Sequence, residues 1–190
     1  MNTVQTEKIL KSHIAAANQL LSQTKEISEF AEIIISTIKN QGKILIAGNG
    51  GSAADSQHMA AEFLGRFKKN RKPIAAISLT TDTSIITAIG NDFGFKTVFA
   101  KQIQALGNEK DIFVIFSTSG KSENLIEAIN AAKNKGIKTL ALLGKDGGTI
   151  KDIADKTIII ENNDTARIQE MHITIIHVIS EIVEDELFPS

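Results

Sequence analysis

ILIAGNGGSAADSQHMAAEFLGRF, residues 44–67, is the stretch whose reading decides the fold. Ile44-Leu45-Ile46-Ala47 reads as a buried strand, and Gly48-Asn49-Gly50-Gly51-Ser52 as a loop of small residues. Ala53 to Phe67 then reads as a helix, rich in alanine, with no proline and no glycine before Gly65. Strand, glycine turn and helix start together make an anion site. Glycine lets backbone N–H groups approach a ligand, and the first turn of a helix leaves its N–H groups unpaired and slightly positive. On this helix His58 and Glu62 stand four residues apart and share one face.

Upstream, residues 3–39 carry two helical patterns. Ile9, Ile14, Leu20 and Leu21 mark the first; Phe30, Ile33, Ile34, Ile35 and Ile38 mark the second. Asn40-Gln41-Gly42 ends the region as a turn. The first helix precedes the α/β unit and needs a surface to pack on. An oligomer interface and the chain's own sheet are both open as answers.

Downstream, Lys68 to Lys72 is a basic run before Pro73 and reads as a solvated connection. Ile74 to Leu79 is expected as a second strand, Thr80 to Thr83 as helix caps, and Ser84 to Ile89 as a short helix. Gly90-Asn91-Asp92-Phe93-Gly94 is expected to break the chain before a helix over Lys96 to Leu106. Asp111 to Phe116 is nearly all apolar, as a strand covered on both faces should be. Ser117-Thr118-Ser119-Gly120-Lys121-Ser122 follows, then a helix over Glu123 to Asn134. Strands at Ile137–Leu143 and Lys156–Ile160 flank a turn at Gly144–Gly148 and a short helix at Thr149–Ala154. Thr165 to Leu187 is a long terminal helix. The alternation predicts one α/β domain, a parallel sheet with helices on both faces.

Composition fits a single domain with a substantial core: 190 residues, 42% hydrophobic and 23% charged. The formal net charge of −1 provides no basic field for nucleic acid or an anionic membrane. Without cysteine there is no disulfide framework, thiol nucleophile or thiolate metal site. No apolar stretch reaches membrane-spanning length, so the cytoplasm is the expected compartment.

Two strand ends now carry polar loops, 48–52 and 117–122. In open parallel sheets ligands bind beyond the carboxyl ends of the strands. Hydroxyls, backbone N–H groups and a helix start make a cradle for a phosphate monoester, although serine and threonine also cap helices. No Walker pattern and no full GxGxxG is present, which disfavours a nucleotide. His58 and Glu62 fit a metal pair, an acid/base pair or a surface hydrogen bond. The terminal helix sets Gln169, His172 and His177 among isoleucines; such polar residues are satisfied in a core or turned into a site. Eight residues separate Gln169 from His177, a rise of about 12 Å. Both reaching one metal takes extended side chains, or different subunits supply them.

GNGGSAADSQHMAAE, TAIGNDFGF, STSGKS, GKDGG and RIQEMHITIIH, in this order, closely resemble the phosphoheptose isomerases of the sugar-isomerase (SIS) family over nearly the whole chain. The resemblance implies a three-layer, flavodoxin-like α/β sandwich with a five-stranded parallel sheet and extra N-terminal helices. It implies a homotetramer with sites at subunit interfaces. The implied reaction converts sedoheptulose 7-phosphate to D-glycero-D-manno-heptose 7-phosphate through a cis-enediol, toward activated heptose for lipopolysaccharide, capsule or other glycans. The family's zinc ligands fall on His58, Glu62, Gln169 and His177. Its substrate contacts fall on Asn49, Gly50, Gly51, Ser52, Glu62, Asn91, Asp92, Ser117, Thr118, Ser119, Ser122 and Gln169. Glu62 and His177 match its acid/base residues. A tightly held Glu62 ligand is not a free base without rearrangement, so zinc as structural, modulating or catalytic stays open. The non-enzymatic relative with the same fold binds the replication initiator DnaA and lacks the acidic residue at Glu62. SIS regulators add a nucleic-acid-binding domain, for which this length leaves no room.

Overall fold

The computed structural model describes residues 2–189. In chain order its elements are α1 (Thr3–Gln19), α2 (Thr24–Lys39), β1 (Ile44–Gly48), α3 (Gly51–Leu64), β2 (Ala76–Ser78) and α4 (Thr83–Phe93). There follow α5 (Val98–Leu106), β3 (Ile112–Ser117), α6 (Glu123–Asn134), β4 (Lys138–Gly144), α7 (Ile150–Ile153), β5 (Lys156–Ile160) and α8 (Thr165–Leu187). The strands form one parallel sheet in the order β2-β1-β3-β4-β5. The expected α/β sandwich is therefore present.

Every residue of β1 and β3 is buried, because the sheet is covered on both faces. Alternate residues feed two cores. Ile44, Ile46, Val114 and Phe116 join the core beneath α1, α2, α3 and α8. Leu45, Ala47, Phe113 and Ile115 join the core beneath α5, α6 and α7.

Three local expectations need correction. The chain does not break at Gly90: α4 continues through Asn91 and Asp92 to Phe93. The Asp82 side chain caps its start by accepting from the Ile85 N–H at 2.9 Å, and Gly94, at φ 85°, ends it. One interior glycine costs a helix only about 1 kcal/mol. Second, α3 begins at Gly51 and stops at Leu64, where the Gly65 N–H closes the last turn on Ala61 O at 2.9 Å. Third, the basic run is a connection whose Lys68 and Lys72 are solvated and whose Arg71 is not. The Arg71 side chain is 2% exposed, and Lys68 and Lys69 pair with Glu181 and Asp185 of α8.

The first helix packs on its own chain and yet leaves a face free. Arg167 donates to Ile9 O at 2.9 Å and pairs with Glu170, which also bonds His13 at 2.7 Å. The other side of α1 presents Val4, Ile9, Leu10 and Ile14 to solvent. Among the described residues no helix is long and apolar enough to cross a membrane.

Candidate active site

The chain runs from β1 outward to β2 and then crosses back to β3 on the other side of β1. That reversal opens a crevice at the carboxyl ends of β1 and β3, where open α/β sheets bind ligands. Loops 49–50 and 118–122 flank it. Their neighbours Ser117 and Ser52 are buried.

The second loop is shaped by its own hydroxyls. Ser117 Oγ accepts from the Gly120 N–H at 3.0 Å, and Ser119 Oγ from the Lys121 N–H at 3.2 Å. Gly120 has φ 63°, and a Cβ there would lie 1.9 Å from Gly147 O. The 144–148 turn thus backs the 117–122 loop, so the two motifs form one structure. Ser122 precedes α6 without a side-chain capping bond, and Thr118 is half-buried. Their hydroxyls remain available to a ligand.

Asn49 and Asn124 exchange two amide hydrogen bonds, 2.9 and 2.8 Å long. This pair ties the first loop to the start of α6. Asn124 was not among the sequence candidates. Its signal is a buried amide in the first turn of the helix behind STSGKS, which reads from sequence as an ordinary surface residue.

The second half of the site lies between α3 and α8, which run in the same direction. Gly51 meets Gln169 near their starts: a Cβ on Gly51 would lie 2.3 Å from Gln169 Nε2. About two turns along, His58 meets His177. His58 Nε2 lies 2.9 Å from Glu62 Oε1 and 3.0 Å from His177 Nε2. The ligand-type atoms of all three side chains lie within 4.8 Å of one another. The Phe67 ring, another residue not singled out from sequence, sits 5.6 Å from the His177 ring.

One chain therefore joins His58, Glu62 and His177 by itself. Gln169, the fourth expected ligand, lies about two turns back along α8 from His177, with its amide against Gly51. His172 belongs to the core: it is fully buried beside Phe116, with Nε2 3.3 Å from Leu143 O. Burial lowers its pKa to about 4, so its ring is neutral there. Asp55, one turn before His58, is buried with Oδ2 unpartnered, and burial pushes its carboxyl up to about 6. Asn91 and Asp92 are exposed on α4 and bond to each other at 2.9 Å.

The trio has a definite electrostatic character. One nitrogen of His58 faces both a carboxylate oxygen and a second imidazole nitrogen, and a single N–H serves only one of them. A cation coordinated by one atom from each satisfies all three. Two imidazoles and a carboxylate are the donor set of a borderline divalent metal, and the short donor separations suit one ion. His58 and Glu62 keep 42% and 20% side-chain exposure, so a small polar substrate has access.

Known proteins resemble the chain over most of its length. The SIS domain family profile matches residues 10–144. A phosphoheptose isomerase of Helicobacter pylori (strain P12) is 49% identical over 94% of this chain and 93% of its own. One from Geobacter sulfurreducens is 52% identical over 86% of each chain. The structure of a phosphoheptose isomerase from Neisseria gonorrhoeae superposes with a TM-score of 0.92 at 41% identity, covering 97% of this chain and 100% of that one. Another, from Francisella tularensis, gives 0.94 at 35% identity, covering 97% and 99%. The chain belongs to the phosphoheptose isomerase family of SIS-domain proteins.

Proposed function

We propose that this protein isomerises sedoheptulose 7-phosphate to D-glycero-D-manno-heptose 7-phosphate, the opening step toward activated heptose for bacterial surface glycans. It is an aldose–ketose isomerase. The observation that carries the residue assignment is the convergence of Glu62, His58 and His177 from two helices beside a hydroxyl-lined anion loop.

The reaction moves one proton from C1 to C2. Glu62 takes the C1 proton while His177 gives a proton to O2, which leaves a cis-enediol. His177 then takes the O1 proton and Glu62 returns a proton to C2. Positioned groups of this kind contribute about 10²–10⁴-fold each. Thr118, Ser119, Ser122 and the α6 N-terminus hold the phosphate, and Asn49 with Gly50, Gly51 and Ser52 holds the sugar hydroxyls. Fixing the far end of the sugar orients the reacting carbons.

His58, Glu62, His177 and Gln169 would hold a zinc ion. Bound there, zinc would stabilise negative charge on the enediol oxygens. The assembly is a homotetramer, supported by the bare apolar side of α1 and by α4, which has no buried residue. A neighbouring copy would bring Asn91 and Asp92 from the surface to the sugar. A phosphorylated substrate and product support a cytoplasmic enzyme.

The direct test follows sedoheptulose 7-phosphate by NMR with metal-free and zinc-loaded protein. Aldose signals in either preparation support the assignment; unchanged substrate in both overturns it.

A further inference from the structure

Behind the trio lies a second polar cluster that the reaction does not use. Arg71, from the loop after α3, and Glu184, on α8, are each 2% exposed at the side chain. Every bond of this pair is directed. Arg71 Nε donates to Glu184 Oε1 at 2.9 Å. Its Nη2 donates to Glu62 O at 2.7 Å, and its Nη1 to Phe63 O at 2.9 Å and Lys72 O at 3.1 Å. Glu184 also accepts the backbone N–H groups of Phe67, Lys68 and Lys69 at 3.2, 2.7 and 2.7 Å. Burial opposes the charge on Glu184, but these donors together hold its carboxyl below the usual range.

The placement matters more than the number of bonds. The last carbonyls of a helix lack partners within it. In α3, Arg71 takes up the carbonyls of Glu62 and Phe63, where a positive charge also faces the negative end of the helix dipole. Glu62 is thus held by its own backbone. On α8, Glu184 lies seven residues from His177, two turns along the same face. The Phe67 N–H bonded by Glu184 belongs to the residue whose ring flanks His177. One buried ion pair therefore touches the backbone of one acid/base residue, the helix face of the other, and the aromatic wall beside it.

We propose that Arg71 is a positioning residue, which locks the last turn of α3 onto α8 through Glu184 and so keeps Glu62 in register with His58 and His177. A lysine cannot do this. Its single ammonium has no planar fork to reach Glu184 and two successive carbonyls at once. The inference rests on the assignment of Glu62 and His177 to the proton transfers.

The experiment compares Arg71→Lys, Glu184→Gln, Glu62→Gln and Ile34→Ala with the full-length wild type. Ile34 is buried on α2, a helix that carries none of the trio, so its truncation is a stability control. Three readouts are taken well below each melting temperature: kcat, KM for sedoheptulose 7-phosphate, and Zn²⁺ affinity of the metal-free protein by competition with a chromophoric chelator. Misplacing a reacting group by about 1 Å costs on the order of 10²-fold. Arg71→Lys should lower kcat by roughly 10- to 100-fold with KM within about threefold. Its Zn²⁺ affinity should fall about tenfold, as for loss of a supporting residue. Glu184→Gln should move both in the same direction, which keeps the test decisive if Arg71→Lys folds poorly. Ile34→Ala should lose melting temperature and keep both. If the two clamp variants match Ile34→Ala in kcat and Zn²⁺ affinity, Arg71 is only a fastener and the proposal is overturned. If Glu62→Gln keeps wild-type kcat, the assignment of the base fails, and the positioning role with it.

Discussion

Between α3 and α8, polar side chains pair within the chain: the buried Arg71 with Glu184, and the part-exposed His58 with Glu62 and His177. Along α1 and α4 the same chain holds apolar side chains out to solvent, Leu10 at 58%, Ile14 at 56% and Phe93 at 56% exposure. The difference separates what a single chain completes from what the proposed assembly would cover. His58, Glu62 and His177, the proposed acid/base trio, meet within one copy. Asn91 and Asp92, on an unburied helix, are not brought to it. On the proposed assignment, the chain-internal seam carries the chemistry and the bare apolar surface carries the contact between copies.

The sharpest way to break this comparison is in the seam. His177→Asn should lower kcat by about 10³-fold, the scale of a lost acid/base group, with the far-UV circular dichroism unchanged. A smaller effect is expected on the bare side. Leu10→Asp with Ile14→Asp should shift the protein to smaller species by light scattering, because burying carboxylates in an apolar contact is costly. Activity should fall by roughly 10- to 100-fold as the sugar loses contacts, while Zn²⁺ affinity stays near wild type. Unchanged mass would show that α1 is no interface.

The third test sits at the crevice. Asn124→Ala removes both amide bonds to Asn49. A lost hydrogen bond is worth about 1 kcal/mol, so KM should rise about fivefold with kcat nearly constant. The smallest effect on activity is expected from His172→Gln, within about twofold at pH 8. Its effect is on stability against pH. Burial lowers His172 from 6.5 to about 4, so the fold favours the neutral ring. That contribution is whole above pH 6.5 and is lost as pH falls toward 4, roughly 2 kcal/mol by pH 5. The variant should therefore show a flatter fall in urea stability between pH 7 and pH 5.

Most of the fold was readable because apolar runs such as Ile44–Ala47 and Asp111–Phe116 have a single sensible place in a parallel sheet. Periodicity also gave α6 and α8 their full extents, Glu123–Asn134 and Thr165–Leu187. It failed at Gly90, where the cap at Asp82 and the stop at Gly94 outweigh one weak interior residue. It failed again at Arg71, whose partner Glu184 is 113 residues away. A helical period reports which residues share a face and not what that face meets. For the same reason the spacing of Gln169 and His177 left open whether one chain could join them. The parallel approach of α3 and α8 answers for His177, which meets His58, and leaves Gln169 beside Gly51.

The most direct measurement of the central claim is deuterium incorporation at C2 of the aldose product from sedoheptulose 7-phosphate in D₂O, for wild type and Glu62→Gln. The wild type should form aldose labelled at C2, because Glu62 exchanges its proton with solvent before returning it. Glu62→Gln should bind the substrate and yet give neither aldose nor label. Label accumulating at the wild-type rate in that variant would contradict the assignment of the His58–Glu62–His177 seam as the isomerising centre.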